Sequence, residues 1–204
     1  AASVAARYPT VARLMRAVRE RIVREEIIGT EKRLETDPDN VALHDDVALL
    51  HAEAGHLDRT AEHFAHTARI RPESAVAQYN LGNALRDQDL LEDAAAEYRS
   101  AIRLQPGLVE AHNNLSLVLN RLNHAEEAIA AAEAALKIRP QHVSAMTNMG
   151  NALLAAGRAE EAADVHQRVI ALQPNDATGY SNLGDALAAR GSLDQAAGAY
   201  RRAI

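Results

Sequence analysis

An asparagine recurs every 34 residues along most of this chain. The members are Asn80, Asn114, Asn148 and Asn182, and Asp46 stands one interval earlier. An asparagine amide carries one acceptor oxygen and two N–H donors, which match the hydrogen-bonding groups of a peptide bond. A row of such amides could hold an extended peptide by its backbone, a mode that gives affinity with little sequence preference. Alternatively, water or a neighbouring helix satisfies each amide.

Histidine is concentrated in one stretch of the chain. Five of the nine lie between residues 44 and 66, namely His44, His51, His56, His63 and His66. A zinc site needs ligands that converge within bonding distance, and no single predicted helix supplies three of them. We expect His51 in the core and His56 in a turn. The pattern therefore predicts structural or solvated histidines and no metal site.

No pattern in the sequence predicts catalysis. A Ser-His-Asp arrangement, a glycine-rich phosphate loop and paired carboxylates in a cleft are all missing from it. Asp45 and Asp46 adjoin His44, but adjacent residues of a helix face different ways. We therefore predict no catalytic residue, no cofactor and no enzyme activity for this chain.

Prolines with the same 34-residue spacing indicate the elements that must position these side chains. They are Pro38, Pro72, Pro106, Pro140 and Pro174. A fixed period of this length is typical of stacked copies of one small unit. Counted from three residues after each proline, the units are 41–74, 75–108, 109–142, 143–176 and an incomplete 177–204. A residue's position within its unit is called its place.

Each unit carries two helical patterns separated by a turn. Mostly apolar residues at places seven and eleven, and again at twenty, twenty-four and twenty-eight, are four apart, as on one face of a helix. Place eight is always small, with Ala48, Gly82, Ser116, Gly150 and Gly184. Place fifteen holds types that tolerate the left-handed conformation ending a helix: Gly55, Asp89, Asn123, Gly157 and Gly191. We predict an all-α fold with two helices in each unit.

This register resembles the tetratricopeptide repeat. The small residue at place eight, alanine at twenty, bulk at twenty-four and proline at thirty-two recur over residues 41–204. The resemblance implies a solenoid of antiparallel helix pairs, which forms a right-handed superhelix with the first helix of each pair on its concave side. Place four departs from the pattern, since only Tyr180 is aromatic there. Ala132 stands where bulk is expected, which predicts looser packing because less apolar surface is buried.

The resemblance also implies a peptide groove on the concave side. The strings Asn80-Leu81-Gly82-Asn83 and Asn182-Leu183-Gly184-Asp185 are similar to the asparagine ladder of the tetratricopeptide superhelix in O-linked N-acetylglucosamine transferases. The predicted peptide-binding residues are Asn80, Asn114, Asn148, Asn182, Asn83, Asn151 and Tyr79, the last as an aromatic anchor. Places two and five carry no basic residue, so we expect no charge-assisted grip on a terminal carboxylate.

Both ends of the chain depart from the repeat. Residues 10–36 show a helical apolar pattern, with a break allowed near Gly29, and lack the repeat signature. We interpret residues 1–40 as a degenerate, amphipathic cap on an array of five units over 41–204. The chain begins without methionine and unit 177–204 stops before its proline. We therefore expect the full protein to continue, or the apolar edge near Ile204 to self-associate.

Charge and composition limit the classes of partner that we expect for this chain. Residues 1–35 hold eight basic and five acidic residues, whereas the remainder is acidic, and the net charge is −6. An acidic body argues against nucleic acid. No apolar run is long enough to span a membrane, and glutamates interrupt the basic N-terminal helix, so we expect no membrane contact. The absence of cysteine suits either cytoplasm or periplasm.

The sequence predicts a scaffold that binds an extended peptide of a partner protein in its groove. Two alternatives stay open. The chain could be the substrate-recruiting part of a larger, glycosyltransferase-like enzyme, or it could self-assemble by end-to-end stacking of repeats.

Overall fold

The computed structural model describes residues 9–204, with side chains from Ala12 onward, so residues 1–8 of the predicted N-terminal cap lie outside the described residues. Over that range the chain forms eleven helices and no strand: α1 Pro9–Thr36, α2 Val41–Glu53, α3 Leu57–Ile70, α4 Ala75–Asp87, α5 Leu91–Leu104, α6 Val109–Arg121, α7 Ala125–Ile138, α8 Val143–Ala155, α9 Ala159–Leu172, α10 Ala177–Ala189 and α11 Leu193–Ala203. The predicted all-α fold of helix pairs is confirmed.

The helices end where local chemistry predicts. Five of them, α1, α3, α5, α7 and α9, end two residues before a proline of the 34-residue series. Proline lacks an N–H donor and pushes the residue before it out of the helical region. All five residues at place fifteen have positive φ: Gly55 (77°), Asp89 (66°), Asn123 (61°), Gly157 (77°) and Gly191 (85°). This confirms the turn predicted between the two helices of each unit.

The first helix of most pairs is capped by the residue just before it. Asn40 Oδ1 accepts a hydrogen bond from the Leu43 amide at 3.1 Å, and the Asp176 carboxylate accepts from the amides of Thr178 and Gly179 at 3.1 and 3.2 Å. Such a cap contributes about 1 kcal/mol because it satisfies amides that have no partner within the helix. The last residue of one unit thus helps to start the next.

The helices form two compact units. One ends at Gln88 and contains α1–α4, and the other spans Asp89–Ile204 and contains α5–α11. These two are called the first unit and the second unit, whereas a single repeat is named by its residue range. Within each unit, helices that follow one another along the chain pack together. The buried side chains are mostly small or branched. Ala48, Ala61, Phe64 and Ala84 form one cluster in the first unit, and Val109, Ala135 and Ala145 form one in the second.

Place eight is where the two helices of a pair approach closely. A Cβ atom added to Gly150 would lie 2.5 Å from His166 Cε1, and one added to Gly184 would lie 2.5 Å from Tyr200 Cε1. In unit 109–142 the larger Ser116 occupies place eight, is fully buried and donates from Oγ to the Ala128 carbonyl at 2.8 Å. Ala132, at place twenty-four of the same unit, is also fully buried.

The N-terminal helix α1 runs through Gly29 without a break. Its buried residues Val23, Ile27 and Leu34 lie in the C-terminal two thirds, whereas Leu14 near its start is exposed. The apolar stripe of this helix is therefore buried along only part of its length. Among the residues that the structure describes, no helix is both long enough and apolar enough to cross a membrane.

Candidate functional site

The candidate site lies on the first helices of three successive pairs in the second unit, α6, α8 and α10. Helix α8 packs against both of the others. Because the three helices share one register, residues at the same place become neighbours from helix to helix. Place six is Asn114 on α6, Asn148 on α8 and Asn182 on α10.

Asn148 links helix α8 to helix α6. Its Nδ2 donates to the carbonyl of Asn113 at 3.3 Å and to Asn113 Oδ1 at 3.1 Å. The backbone carbonyl of Asn148 in turn accepts from Asn120 Nδ2 at 2.8 Å, and Asn113 Nδ2 donates to Asn114 Oδ1 at 3.0 Å. These four asparagines therefore form a continuous hydrogen-bonded group across two neighbouring units of the repeat.

The members of the row differ in how much surface they offer. Asn114 and Asn148 are each only 9% exposed, whereas Asn182 is half-buried and Asn151, at place nine of α8, is exposed. Short polar side chains accompany them at places two and five: Ser144 and Thr178 are exposed, and Asn113, Thr147 and Ser181 are half-buried. The accessible part of this face consists mainly of uncharged hydrogen-bonding groups.

The charged groups on the same helices have partners. Glu110 accepts a hydrogen bond from its own backbone amide, and Arg139 approaches it at 3.1 Å; both lower the pKa of this carboxyl. Asp185 Oδ1 accepts from the Tyr200 hydroxyl at 2.7 Å, and this bond raises the pKa of Tyr200. Since these carboxylates are already engaged, the face offers hydrogen bonds more readily than a free charge.

The other predicted residues lie in the first unit. Helix α4 carries Tyr79, Asn80 and Asn83, and all three are half-buried. The structure thus groups the seven predicted residues as three on α4 and four on α6, α8 and α10. Each group has both donors and acceptors.

Sequence comparison identifies the repeat. Residues 147–204 and 109–142 match families described as "Tetratricopeptide repeat", and residues 82–123 match one described as "TPR repeat". Together these segments span more than half of the chain. The chain belongs to the tetratricopeptide-repeat family. No curated protein matches its sequence.

Solved tetratricopeptide structures share the fold. "MamA 41-end from Desulfovibrio magneticus RS-1" has a TM-score of 0.76 at 18% identity, covering 80% of this chain and 92% of that one. A crystal structure of MamA has a TM-score of 0.69 at 25% identity, covering 72% and 86%. The crystal structure titled "YrrB: a TPR protein with an unusual peptide-binding site" has a TM-score of 0.71 at 20% identity, covering 86% and 90%.

Sequence reasoning missed Asn113 and Asn120 as members of the site. In this tetratricopeptide-repeat protein, Asn113 occupies place five, for which the sequence led only to the prediction that no basic residue grips a carboxylate. The adjacent pair Asn113 and Asn114 was a usable signal, because one side chain can bond to its neighbour on the same helix and also to the next helix of the stack. The role of Asn113 and Asn120 depends on where the side chain and the backbone carbonyl of Asn148 lie on the neighbouring helix. The repeat pattern does not specify these positions.

Proposed function

We propose that this tetratricopeptide-repeat chain is a protein-interaction scaffold without enzymatic activity, which binds an extended segment of a partner protein through the segment's backbone. The observation that carries the proposal is the uncharged, hydrogen-bonding face over α6, α8 and α10. An extended peptide presents alternating N–H and C=O groups, and asparagine, serine and threonine side chains can pair with both.

The residues take two roles in this proposal. Asn151 and Asn182 contact the peptide in the second unit, since their amides are accessible. Within the first unit, the half-buried Asn80 and Asn83 of α4 offer amides of the same kind, and Tyr79 offers an aromatic surface. Asn114 and Asn148, which are mostly buried, position the helices and hold the accessible groups in register.

Recognition of this kind predicts moderate affinity and broad sequence tolerance. Each hydrogen bond contributes only about 0.5–1.5 kcal/mol net, because the free groups bond to water. The likeness to the asparagine ladder of O-linked N-acetylglucosamine transferases is part of this proposal and is supported by the recurrence at place six. YrrB, whose structure shares this fold, is described as having an unusual peptide-binding site.

The test uses an array of random-sequence peptides, each paired with a copy that is N-methylated along its backbone. We expect the chain to bind a subset of the unmodified peptides and to bind their N-methylated copies much more weakly, because methylation removes the N–H donors. The double variant Asn151→Ala/Asn182→Ala should lose at least about tenfold in affinity, which corresponds to one or two hydrogen bonds.

The matched control is Gln167→Ala/Gln173→Ala, which removes two exposed amides from the α9 segment. It should bind like the unaltered chain. Equal losses in both double variants, or equal binding of methylated and unmethylated peptides, would show that the proposed face does not read a peptide backbone.

A further inference from the structure

The histidines of unit 41–74 collect around three helices of the first unit. His44 and His51 lie on α2, His63 lies on α3, and His56 immediately precedes α3. Helix α1 contributes Glu31, whose Oε1 is 3.2 Å from His51 Nε2. The proposed peptide-binding function uses none of these residues.

Three of these side chains converge. Ligand atoms of Glu31, His51 and His63 all lie within 4.8 Å of one another. His51 is 5% exposed and His63 is 7% exposed, whereas Glu31 is partly accessible and leaves a path for a small ion. We expected no metal site because no single helix supplies three converging histidines. These three residues instead come from three different helices.

The hydrogen bonds assign the protons on two of the rings. His44 Nε2 lies 2.9 Å from the Pro38 carbonyl, which can only accept, so this nitrogen carries a proton. His44 Nδ1 then accepts from His63 Nδ1 at 2.9 Å when both rings are neutral. The remaining lone pair of His63 is on Nε2, which is buried and has no hydrogen-bond partner. A buried acceptor without a partner costs about 1–3 kcal/mol.

We infer that Glu31, His51 and His63 bind one Zn²⁺ ion, with His63 Nε2 as a ligand and a water molecule completing the tetrahedron. Two imidazoles and a carboxylate are a ligand set that zinc uses. Tetrahedral zinc holds its ligand atoms about 3.3 Å apart, given Zn–N bonds of about 2.0–2.1 Å. The observed spread is somewhat wider, so binding draws the three side chains together.

Outer histidines orient the two ring ligands. His44 accepts from His63 Nδ1 and is itself fixed by Pro38. His56 Nδ1 lies 3.1 Å from His51 Nδ1, so His51 can donate from Nδ1 while its Nε2 binds the ion. Such outer hydrogen bonds set the tautomer of a metal ligand, and losing one typically weakens metal binding about 10–100-fold.

Arg59 opposes the ion. Its Nη2 donates to Glu31 Oε1 at 3.1 Å, and its Nη1 donates to Glu62 Oε2 at 2.6 Å. A guanidinium beside the ligand carboxylate repels a divalent cation. Glu31 therefore either binds through its other oxygen or exchanges Arg59 for the metal, and Arg59→Gln should tighten zinc binding. Gln195 occupies the same place in the last unit, so glutamine fits this position of the repeat.

The ion would join the N-terminal helix to the first helix pair. Its three ligands come from α1, α2 and α3, so binding requires the three helices to be folded against one another. A ligand that binds only the folded state raises stability in proportion to the logarithm of its concentration over Kd. Zinc binding thus stabilises the packing of α1 against α2 and α3.

The test titrates Zn²⁺ into the chelator-treated chain and follows heat of binding, stoichiometry and melting temperature. The other units supply matched variants: leucine stands at the place of His51 in all four, and Val165 at the place of His63. We expect one ion per chain and a zinc-dependent rise in melting temperature. His51→Leu and His63→Val should fold without zinc but bind it at least about tenfold more weakly.

The control is His112→Gln. His112 Nε2 contacts the Pro106 carbonyl at 2.9 Å, as Gln78 Nε2 contacts the Pro72 carbonyl at 3.3 Å one unit earlier, so this change preserves the local bond and should leave zinc binding intact. The inference is overturned if the unaltered chain shows no zinc-dependent stabilisation. It is also overturned if His63→Val binds zinc as tightly as the unaltered chain does. Unchanged binding by Glu31→Gln would overturn the three-residue ligand set.

Discussion

Units 41–74 and 143–176 place different chemistry on the same backbone positions. At places four and eleven the first of them carries the buried pair His44 and His51, and the later one carries Met146 and Leu153, which are also buried. At place twenty-four the contrast reverses: the first has Phe64 and the later one has His166, which is fully buried. A helix pair therefore tolerates a buried imidazole at several places.

The difference lies in the partners of these rings. His44 and His51 each have hydrogen-bonding contacts on both ring nitrogens, whereas neither nitrogen of His166 has one. The buried histidines of unit 41–74 therefore form a network that could serve a ligand. His166 fills the space beside Gly150. Its two ring nitrogens are buried without a partner, and this lowers the stability of the fold.

The largest expected effect comes from filling the space that Gly150 leaves for His166. In Gly150→Ala the new Cβ would lie 2.5 Å from His166 Cε1, so the ring or the helices must move. We expect a loss of about 2 kcal/mol in the free energy of unfolding, measured by chemical denaturation. Gly198→Ala is the control, because its added Cβ would meet no atom within 4 Å beyond the adjoining residues and backbone of its own helix, and it should stabilise by about 0.5–1 kcal/mol. A stabilised Gly150→Ala would contradict the close approach at place eight.

A smaller effect of opposite sign is expected when His166 is replaced by the residue of unit 41–74. His166→Phe removes two buried polar atoms that have no partner and supplies a ring of the type that Phe64 already places there. We expect the free energy of unfolding to rise by about 1–2 kcal/mol, again by chemical denaturation. A destabilised variant would mean that the imidazole is held by an interaction other than packing.

The same histidine should make stability depend on pH. Burial lowers the pKa of His166, and the opposing charge of Asp185 on α10 only partly offsets this. The unfolded chain therefore binds a proton more readily, so this contribution to stability is present above the ordinary histidine pKa of about 6.5 and is lost as the pH falls below it. The stabilisation by His166→Phe should thus be larger at about pH 5 than at about pH 8. An equal difference at both values would show that His166 does not titrate differently on folding.

The fold could be predicted from the sequence because its determinants are local. The prolines, the left-handed residues at place fifteen and the four-residue apolar spacing each act within a few residues, and the helix ends follow them. The contacts of the candidate site could not be predicted in the same way. Asn148 bonds to a carbonyl on another helix, and Glu31 meets His51 and His63 from α1, whose register the 34-residue repeat does not set.

The smallest expected effect concerns how α1 is held, which contrasts with the alanine-rich packing of the later units. Arg19 forms a bidentate pair with Glu53 on α2, at 2.5 and 2.7 Å, and this pair lowers the pKa of Glu53. Both side chains are exposed, so solvent and salt screen the attraction. Arg19→Gln should lower the melting temperature slightly at low ionic strength and not at about 1 M salt, where charges are screened within about 3 Å. A loss that persists at high salt would mean that Arg19 holds α1 through packing of its stem rather than through its charge.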